Sequence, residues 1–351
     1  MRPQDLVRPE ILALKAYHVP SSDGMVKLDA MENPYTLPAE LREALAERLA
    51  QVELNRYPAP TPQALLDALA RRMDVPRGMR LLLGNGSDEL ISMVITALAR
   101  PGAASMFPSP TFVMYGISST FAGMRPIADP LREDYTFDAD GFVARMQAEK
   151  PAVVFLAYPN NPTGFLYPEA DIVKVIRACE GLVVVDEAYH AFAGKSFLPR
   201  LAEFGNLVVI RTLSKLGLAG IRLGYLAGRP EWVEQFDKVR PPYNVGVLTQ
   251  AAALFMLEKL DVLEAQAARI RADRDTLAKS LAALQGVTVF PSKANFILMR
   301  VPDADRTFGA LKQQNVLVKN LHPGLANCLR VTIGTPDENR ILLSALKEAL
   351  S

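Results

Sequence analysis

One lysine in this sequence stands where its chemistry would change. Val208-Val209-Ile210 is β-branched and reads as a buried strand. It gives way to Arg211-Thr212-Leu213-Ser214, then Lys215, then the small residues Gly217, Ala219 and Gly220, then Arg222. Small residues after a strand let other groups approach the backbone closely. A lysine held there among apolar neighbours, with an arginine seven residues on, loses proton affinity through desolvation and like-charge repulsion. The resulting amine can attack a carbonyl and form a Schiff base. A surface lysine in a glycine-rich turn fits the same letters, so the rest of the chain has to decide.

Three further polar strings follow apolar runs. Gly84-Asn85-Gly86-Ser87-Asp88-Glu89 follows a strand and opens a helix, where backbone N–H groups and a hydroxyl suit a phosphate. A plain helix N-cap at Ser87 is the alternative, and the string is neither a P-loop nor a dinucleotide fingerprint. In Tyr158-Pro159-Asn160-Asn161-Pro162-Thr163-Gly164, prolines on both sides hold the asparagines. An asparagine pinned there can donate to an anionic oxygen, although a simple turn would use the same residues. Leu182-Val183-Val184-Val185-Asp186-Glu187-Ala188-Tyr189 puts an acid directly after an apolar strand. A half-buried carboxylate there needs a cation. That could be magnesium, for which no P-loop is present, or a protonated ring nitrogen as in a pyridoxal cofactor.

These strings need elements to carry them. Short apolar runs at Arg80–Leu83, Ala104–Phe107, Arg125–Ala128, Val153–Ala157, Leu182–Val185, Val208–Arg211 and Gly224–Ala227 read as strands. Helical patterns separate most of them, at Ser87–Ala99, Phe112–Ala122, Ala139–Ala148 and Glu169–Cys179. Alternating strands and helices predict an α/β fold with a mostly parallel central sheet, and ligands on such sheets lie at the carboxyl ends of the strands. The polar strings therefore converge on one crevice. A long helical stretch is expected from about Val247 to Leu284. Beyond it come strands at Val287–Phe290, Phe296–Met299, Val316–Lys319 and Leu329–Ile333, with helices at Ala304–Gln314 and Asp337–Leu350. The expected division is an N-terminal arm (1–35) packing on the small domain, a large cofactor-binding domain (36–245), and a linking helix with a smaller α/β domain (246–351).

The totals narrow the function. At 351 residues with 22% charged and a net charge of +1, no global field draws in nucleic acid or an anionic membrane. Two cysteines and three scattered histidines, His18, His190 and His322, argue against a disulfide framework and a metal site. His190 reads as a packed histidine. No run approaches about 18 apolar residues, and the opening MRPQDLVRPEIL has no apolar core of a leader. A cytoplasmic protein is expected.

With Asn161, Asp186, Lys215 and Arg222 in that order, the chain resembles the fold-type I pyridoxal-phosphate-dependent aminotransferases. Within them it is most similar to the histidinol-phosphate branch. The resemblance runs through ENPY at Asn33, NRYP at Tyr57, GNGSDE, NNPTG, VDEAY, RTLSK, GLAGIRLGY and the late CLRVTIGTPDEN. It implies that Lys215 forms the Schiff base with the cofactor and afterwards moves a proton, while Asp186 pairs with the ring nitrogen. Asn161 and Tyr189 would donate to the ring's phenolic oxygen. Phe112 would stack on the ring where relatives usually carry tyrosine, losing a hydroxyl. Gly86, Ser87, Ser214 and Arg222 would hold the phosphate. Tyr57 would reach the phosphate of the neighbouring subunit, which implies a homodimer.

On the substrate side the resemblance implies Arg330 for the carboxylate of glutamate, with Tyr17 and Asn33 from the arm. Two departures stand out. The step from Lys215 to Arg222 is seven residues where relatives usually have eight, and Lys319 stands where many carry an arginine for the substrate phosphate. Lysine keeps the charge but loses the bidentate fork. The implied reaction is transamination of L-histidinol phosphate with 2-oxoglutarate, giving imidazole-acetol phosphate and glutamate in histidine biosynthesis. An aromatic amino-acid aminotransferase or a phospho-amino-acid decarboxylase of the same fold is the alternative. A ligand-sensing regulator on this fold would carry a basic DNA-binding segment, and none is read here.

Overall fold

Strand after strand in the middle of the chain opens on an unbroken apolar run, as in Val153–Ala157, Leu182–Val185 and Leu207–Ile210, the pattern of strands covered on both faces. The computed structural model, which describes residues 1–16 and 20–351, bears this out. A short helix α1 (Pro9–Leu12) and strand β1 (Val26–Lys27) precede α2 (Ala39–Ala50) and α3 (Gln63–Arg72). Then come β2 (Arg80–Gly84), α4 (Gly86–Leu98), β3 (Ala104–Ser109), α5 (Met114–Phe121), β4 (Arg125–Pro130) and α6 (Ala139–Glu149). They are followed by β5 (Val153–Ala157), α7 (Glu169–Ala178), β6 (Leu182–Asp186), α8 (His190–Ala193), β7 (Leu207–Thr212), β8 (Gly224–Gly228) and α9 (Pro230–Asp237). The last third holds α10 (Val247–Glu258), α11 (Leu260–Ala282), β9 (Thr288–Val289), β10 (Phe296–Arg300) and α12 (Ala304–Gln313). It ends with β11 (Val316–Leu317), β12 (Lys319–Asn320), β13 (Cys328–Thr332) and α13 (Pro336–Leu350).

Among the described residues, seven strands form the main sheet in the order β2-β8-β7-β6-β5-β3-β4. Neighbours run parallel except at β8, which is antiparallel to both β2 and β7. Alternate residues serve opposite cores. Val154, Leu156, Val183, Val185 and Val209 pack on one face, while Val153, Phe155, Val184, Val208 and Ile210 pack on the other. Each such side chain contributes about 1.5–3 kcal/mol of burial. β5 and β6 end level with each other at Ala157 and Asp186, in register with Ile210, and β7 runs on two residues to Thr212, so the residues that follow the three strands share one crevice.

A second sheet, β12-β13-β10-β9, is antiparallel throughout. The N-terminal segment contributes β1, which pairs in parallel with β11 through Val26↔Val316 and Lys27↔Leu317.

Two expectations need correction. The helical stretch from Val247 to Leu284 is two helices broken at Lys259, whose backbone (φ −113°, ψ 26°) leaves the helical range. No glycine or proline marks the break: α10 packs on α2 and α3, whereas α11 packs on α8 and α13, and the chain bends to serve both. The single strand expected at Val316–Lys319 is also divided. β11 joins β1, β12 joins β13, and Val318 is the one residue in which the chain changes partner.

Candidate active site

Asp186 is the last residue of β6, so its side chain leaves the sheet at the strand's carboxyl end. Neighbouring carboxylates there take different surroundings. Glu187, fully buried, is consumed structurally: it accepts from Ser196 Oγ, from the Phe197 amide at 2.5 Å and from Arg211 Nε at 2.9 Å. Asp186 lines a cavity of ≈ 100 Å³ instead. There it accepts from Tyr115 Oη at 2.7 Å and from the Ala188 amide at 3.0 Å. Burial nevertheless raises its pKa to about 6, because an ionised carboxylate loses its water.

Lys215 faces the same cavity from the turn after β7. Its Nζ donates to the Ala30 carbonyl at 3.1 Å. Burial, helped by Arg330 and Arg222, lowers its pKa to about 8. About a tenth is therefore free amine at pH 7, far more than for an exposed lysine. The turn, Ser214–Leu218, is made by Gly217 at φ 136°, where an added Cβ would lie 2.8 Å from Asn33 Nδ2. Asn33 lies beneath this turn and is not among the cavity-lining residues. Its amide donates to the Leu216 carbonyl and to Gln266 Oε1, and its oxygen accepts from the Tyr35 amide. The side chain expected on the substrate side thus braces the lysine turn.

At the other end of the cavity, α4 begins at Gly86, with Asn85 rather than Ser87 at the cap position. Glu89 Oε2 accepts from the Asn85 amide, which leaves Ser87 in the first turn facing the cavity. Arg222 closes this end, with Nη1 donating to Ser214 Oγ at 3.3 Å. Gly86 has φ 78°, and a Cβ there would lie 2.8 Å from Arg222 Nη2, so the guanidinium rests against the turn. Asp88 adds a carboxylate 3.7 Å from Arg222, and its Oδ1 is buried without a hydrogen-bond partner.

Asn161, Tyr189 and Phe112 also line the cavity. Arg330 Nη1 donates to Asn161 Oδ1, and because a guanidinium can only donate, the amide nitrogen of Asn161 is left for a ligand. Arg330 also donates to the Asp29 carbonyl and lies over the Phe296 ring, 5.5 Å from its centroid. Lys319 is its register partner on β12, so both cations stand on one face of the small sheet. Tyr189 donates to Met31 Sδ at 3.3 Å. Tyr57 is 82% exposed and stacked on Tyr243, outside the cavity. Tyr17 lies outside the described residues. His190 is partly buried, its Nδ1 3.2 Å from the Glu187 carbonyl, and desolvation, helped by Arg211, holds its pKa well below normal.

Sequence reasoning missed Tyr115 and Met31. Tyr115 lies three residues after Phe112, in a stretch read only as helix. Met31, at φ 55°, is held by Thr332 Oγ1 at its amide and Asn295 Nδ2 at its carbonyl, contacts that span the chain.

The donor set suits a phosphorylated pyridine aldehyde. A buried carboxylate awaits a cation, a partly neutral amine awaits a carbonyl, and a helix start with Arg222 and Ser214 awaits an anion. Residues 23–346 match the family model for aminotransferase class I and II. The chain belongs to that family. This aminotransferase is 59% identical to histidinol-phosphate aminotransferase 1 of Burkholderia lata over 99% of both chains. It is 54% identical to histidinol-phosphate aminotransferase of Chromobacterium violaceum over 98% of both. Among solved structures, the histidinol-phosphate aminotransferase of Sinorhizobium meliloti in complex with pyridoxal-5'-phosphate shares its fold. The TM-score is 0.87 at 24% identity, over 98% of this chain and 97% of that one.

Proposed function

We propose that this aminotransferase carries the amino group of L-histidinol phosphate to 2-oxoglutarate, yielding imidazole-acetol phosphate and glutamate in histidine biosynthesis, with pyridoxal 5'-phosphate as cofactor. The observation that carries the reading is the full-length identity of 54% and 59% to proteins of that name. The convergence of Lys215, Asp186 and Arg222 on one cavity supports it.

When bound, the cofactor supplies an aldehyde that exchanges amines and a protonated ring that takes up electrons from a breaking C–H bond. The chain does the rest. Lys215 Nζ, partly unprotonated, would be the group that holds the cofactor's aldehyde carbon and, once freed, the base that takes up and returns the substrate's proton. Asp186 holds the proton on the ring nitrogen. Asn161 Nδ2 and Tyr189 Oη donate to the phenolic oxygen, and Phe112 covers the ring. The amides of Gly86 and Ser87, with Ser214 Oγ and Arg222, hold the phosphate. Arg330 takes the carboxylate of glutamate, and Lys319 beside it meets the substrate phosphate as a point charge. The reading also assigns Tyr17 to the substrate side.

The reading includes a cytoplasmic homodimer in which Tyr57 of the partner subunit completes the phosphate site. It also includes the division into an arm (1–35), a large domain (36–245) and a small domain (246–351). The exposure of Tyr57 and the pairing of β1 with β11 support these two parts.

The test is a donor series with purified protein and the cofactor. L-Histidinol phosphate should convert 2-oxoglutarate to glutamate, with phenylalanine and tyrosine poorer in kcat/KM. Carbon dioxide released without an oxo acid would replace transamination by decarboxylation. Lys215→Ala should lose at least about 10²–10⁴-fold in turnover from the missing proton transfer alone.

A further inference from the structure

Asp186 must stay charged in a place that disfavours charge, and the source of its support lies on a neighbouring helix. We propose that Tyr115 is a positioning residue for Asp186, its phenol holding the carboxylate ionised and aimed at the cofactor's ring nitrogen. The proposal rests on the functional reading above and extends it to a residue outside that set.

The phenol is held tightly. Tyr115 is completely buried, and its ring stacks on Phe155 of β5 at 4.8 Å with planes 8° apart. Phe112 meets it edge-on at 5.7 Å. With the ring clamped between the sheet and its own helix, Tyr115 Oη stands 2.7 Å from Asp186 Oδ2. The Ala188 amide donates to the other oxygen at 3.0 Å. An ionised carboxylate accepts at both oxygens, whereas a protonated one must turn a hydrogen toward one of them. The amide cannot accept it.

The groups facing Asp186 are Tyr115 from α5, Asp88 from α4, and Glu187 and Tyr189 on its own segment. The phenol and the Ala188 amide favour the charge, while the two carboxylates oppose it. Tyr115 is thus the one side chain among these that keeps the anion available for a cationic ring. Its own ionisation is suppressed by burial and by Asp186, so it remains a donor throughout the working range.

The experiment titrates pyridoxal 5'-phosphate into cofactor-free wild type, Tyr115→Phe, Asp186→Asn and the double variant across acid and neutral pH. Melting temperatures are recorded alongside. Tyr115→Phe keeps both ring contacts and loses one hydroxyl. It should weaken binding about ten- to a hundredfold at neutral pH, the scale of a hydrogen bond to a charged group. It should also move the acid limb of binding upward by about one pH unit. In the Asp186→Asn background the same change should have no further effect. Equal losses in both backgrounds would mean that the tyrosine is only packing, and no loss in wild type would mean that it is idle. Either overturns the proposal. A wild type that binds no cofactor sinks the functional reading and the proposal together, whereas binding with a flat cycle sinks the proposal alone. If Tyr115→Phe does not fold, a carboxyl-labelled wild type decides by carbon NMR. Asp186 should ionise at about pH 6 or below, and a carboxyl still protonated above neutrality overturns the proposal.

Discussion

Two side chains of opposite charge type are both held against their solution preference in this site. Lys215 has a folded pKa of about 8 against 10.5 when exposed. Between these values the unfolded chain holds a proton that the folded chain lacks. Stability therefore rises with pH through that window, and the full penalty applies below it. Lys215→Met should accordingly raise the melting temperature of the cofactor-free protein near neutral pH, by the equivalent of about 3 kcal/mol. The gain should shrink to nothing as the pH passes 10.5. Asp186 behaves in the mirror sense, with its pKa raised from 3.8 to about 6. Its protonated form stabilises the fold at low pH, and that contribution disappears as pH rises through about 6. Asp186→Asn should therefore stabilise the cofactor-free protein at neutral pH while weakening its hold on the cofactor. Paired melting curves with and without cofactor check both signs. Loss of stability in the free protein on either substitution would contradict the burial argument. A site poised for catalysis is commonly a site that costs stability.

At the scale of elements, the phosphate end of the cavity depends on three chain segments meeting without side chains between them. β8 begins at Gly224 opposite Gly84, and a Cβ on Gly224 would sit 2.7 Å from the backbone carbon of Gly86. Gly224→Ala should push the start of α4 away from Arg222, destabilising by about 1–3 kcal/mol and weakening cofactor binding. Gly220→Ala, with nothing within 4 Å of the new methyl, should leave cofactor binding close to wild type. Denaturant midpoints and cofactor titrations on the two variants make the comparison. The β5, β6 and β7 strands could be read directly from the chain, because a parallel strand covered on both faces leaves an unbroken apolar run. The break at Lys259 and the partner change at Val318 could not. Both are responses to two packing surfaces lying far apart in sequence, and no local residue signals them.

The whole molecule brings the arm to the lysine. Backbone carbonyls of Asp29 and Ala30 receive Arg330 and Lys215, and Met31 meets Tyr189. β1 anchors this stretch to β11 in a two-stranded pairing. The exposed Tyr57–Tyr243 pair belongs to the same scale, since its proposed work lies across a subunit boundary. Tyr57→Phe should loosen the cofactor only under conditions where the protein is dimeric, and dilution below the dimer range should erase the difference from wild type. Sedimentation run beside cofactor titration tests this, and a difference that persists in the monomer would exclude a cross-subunit role.

The order and spacing of Asn161, Asp186, Lys215 and Arg222 were determined by the sequence alone, as were the strands that carry Asp186 and Lys215. Local patterns suffice for this, because residue type and apolar periodicity decide which groups end a strand. Tertiary structure alone decided that Glu187 is spent on Arg211 while Asp186 faces the cavity, that Asn33 braces the lysine turn, and that Tyr115 supports the acid. Each of these is a hydrogen bond between residues 24 to 183 positions apart, and the direction of a side chain across such a distance is chosen by packing, not by its neighbours in the chain.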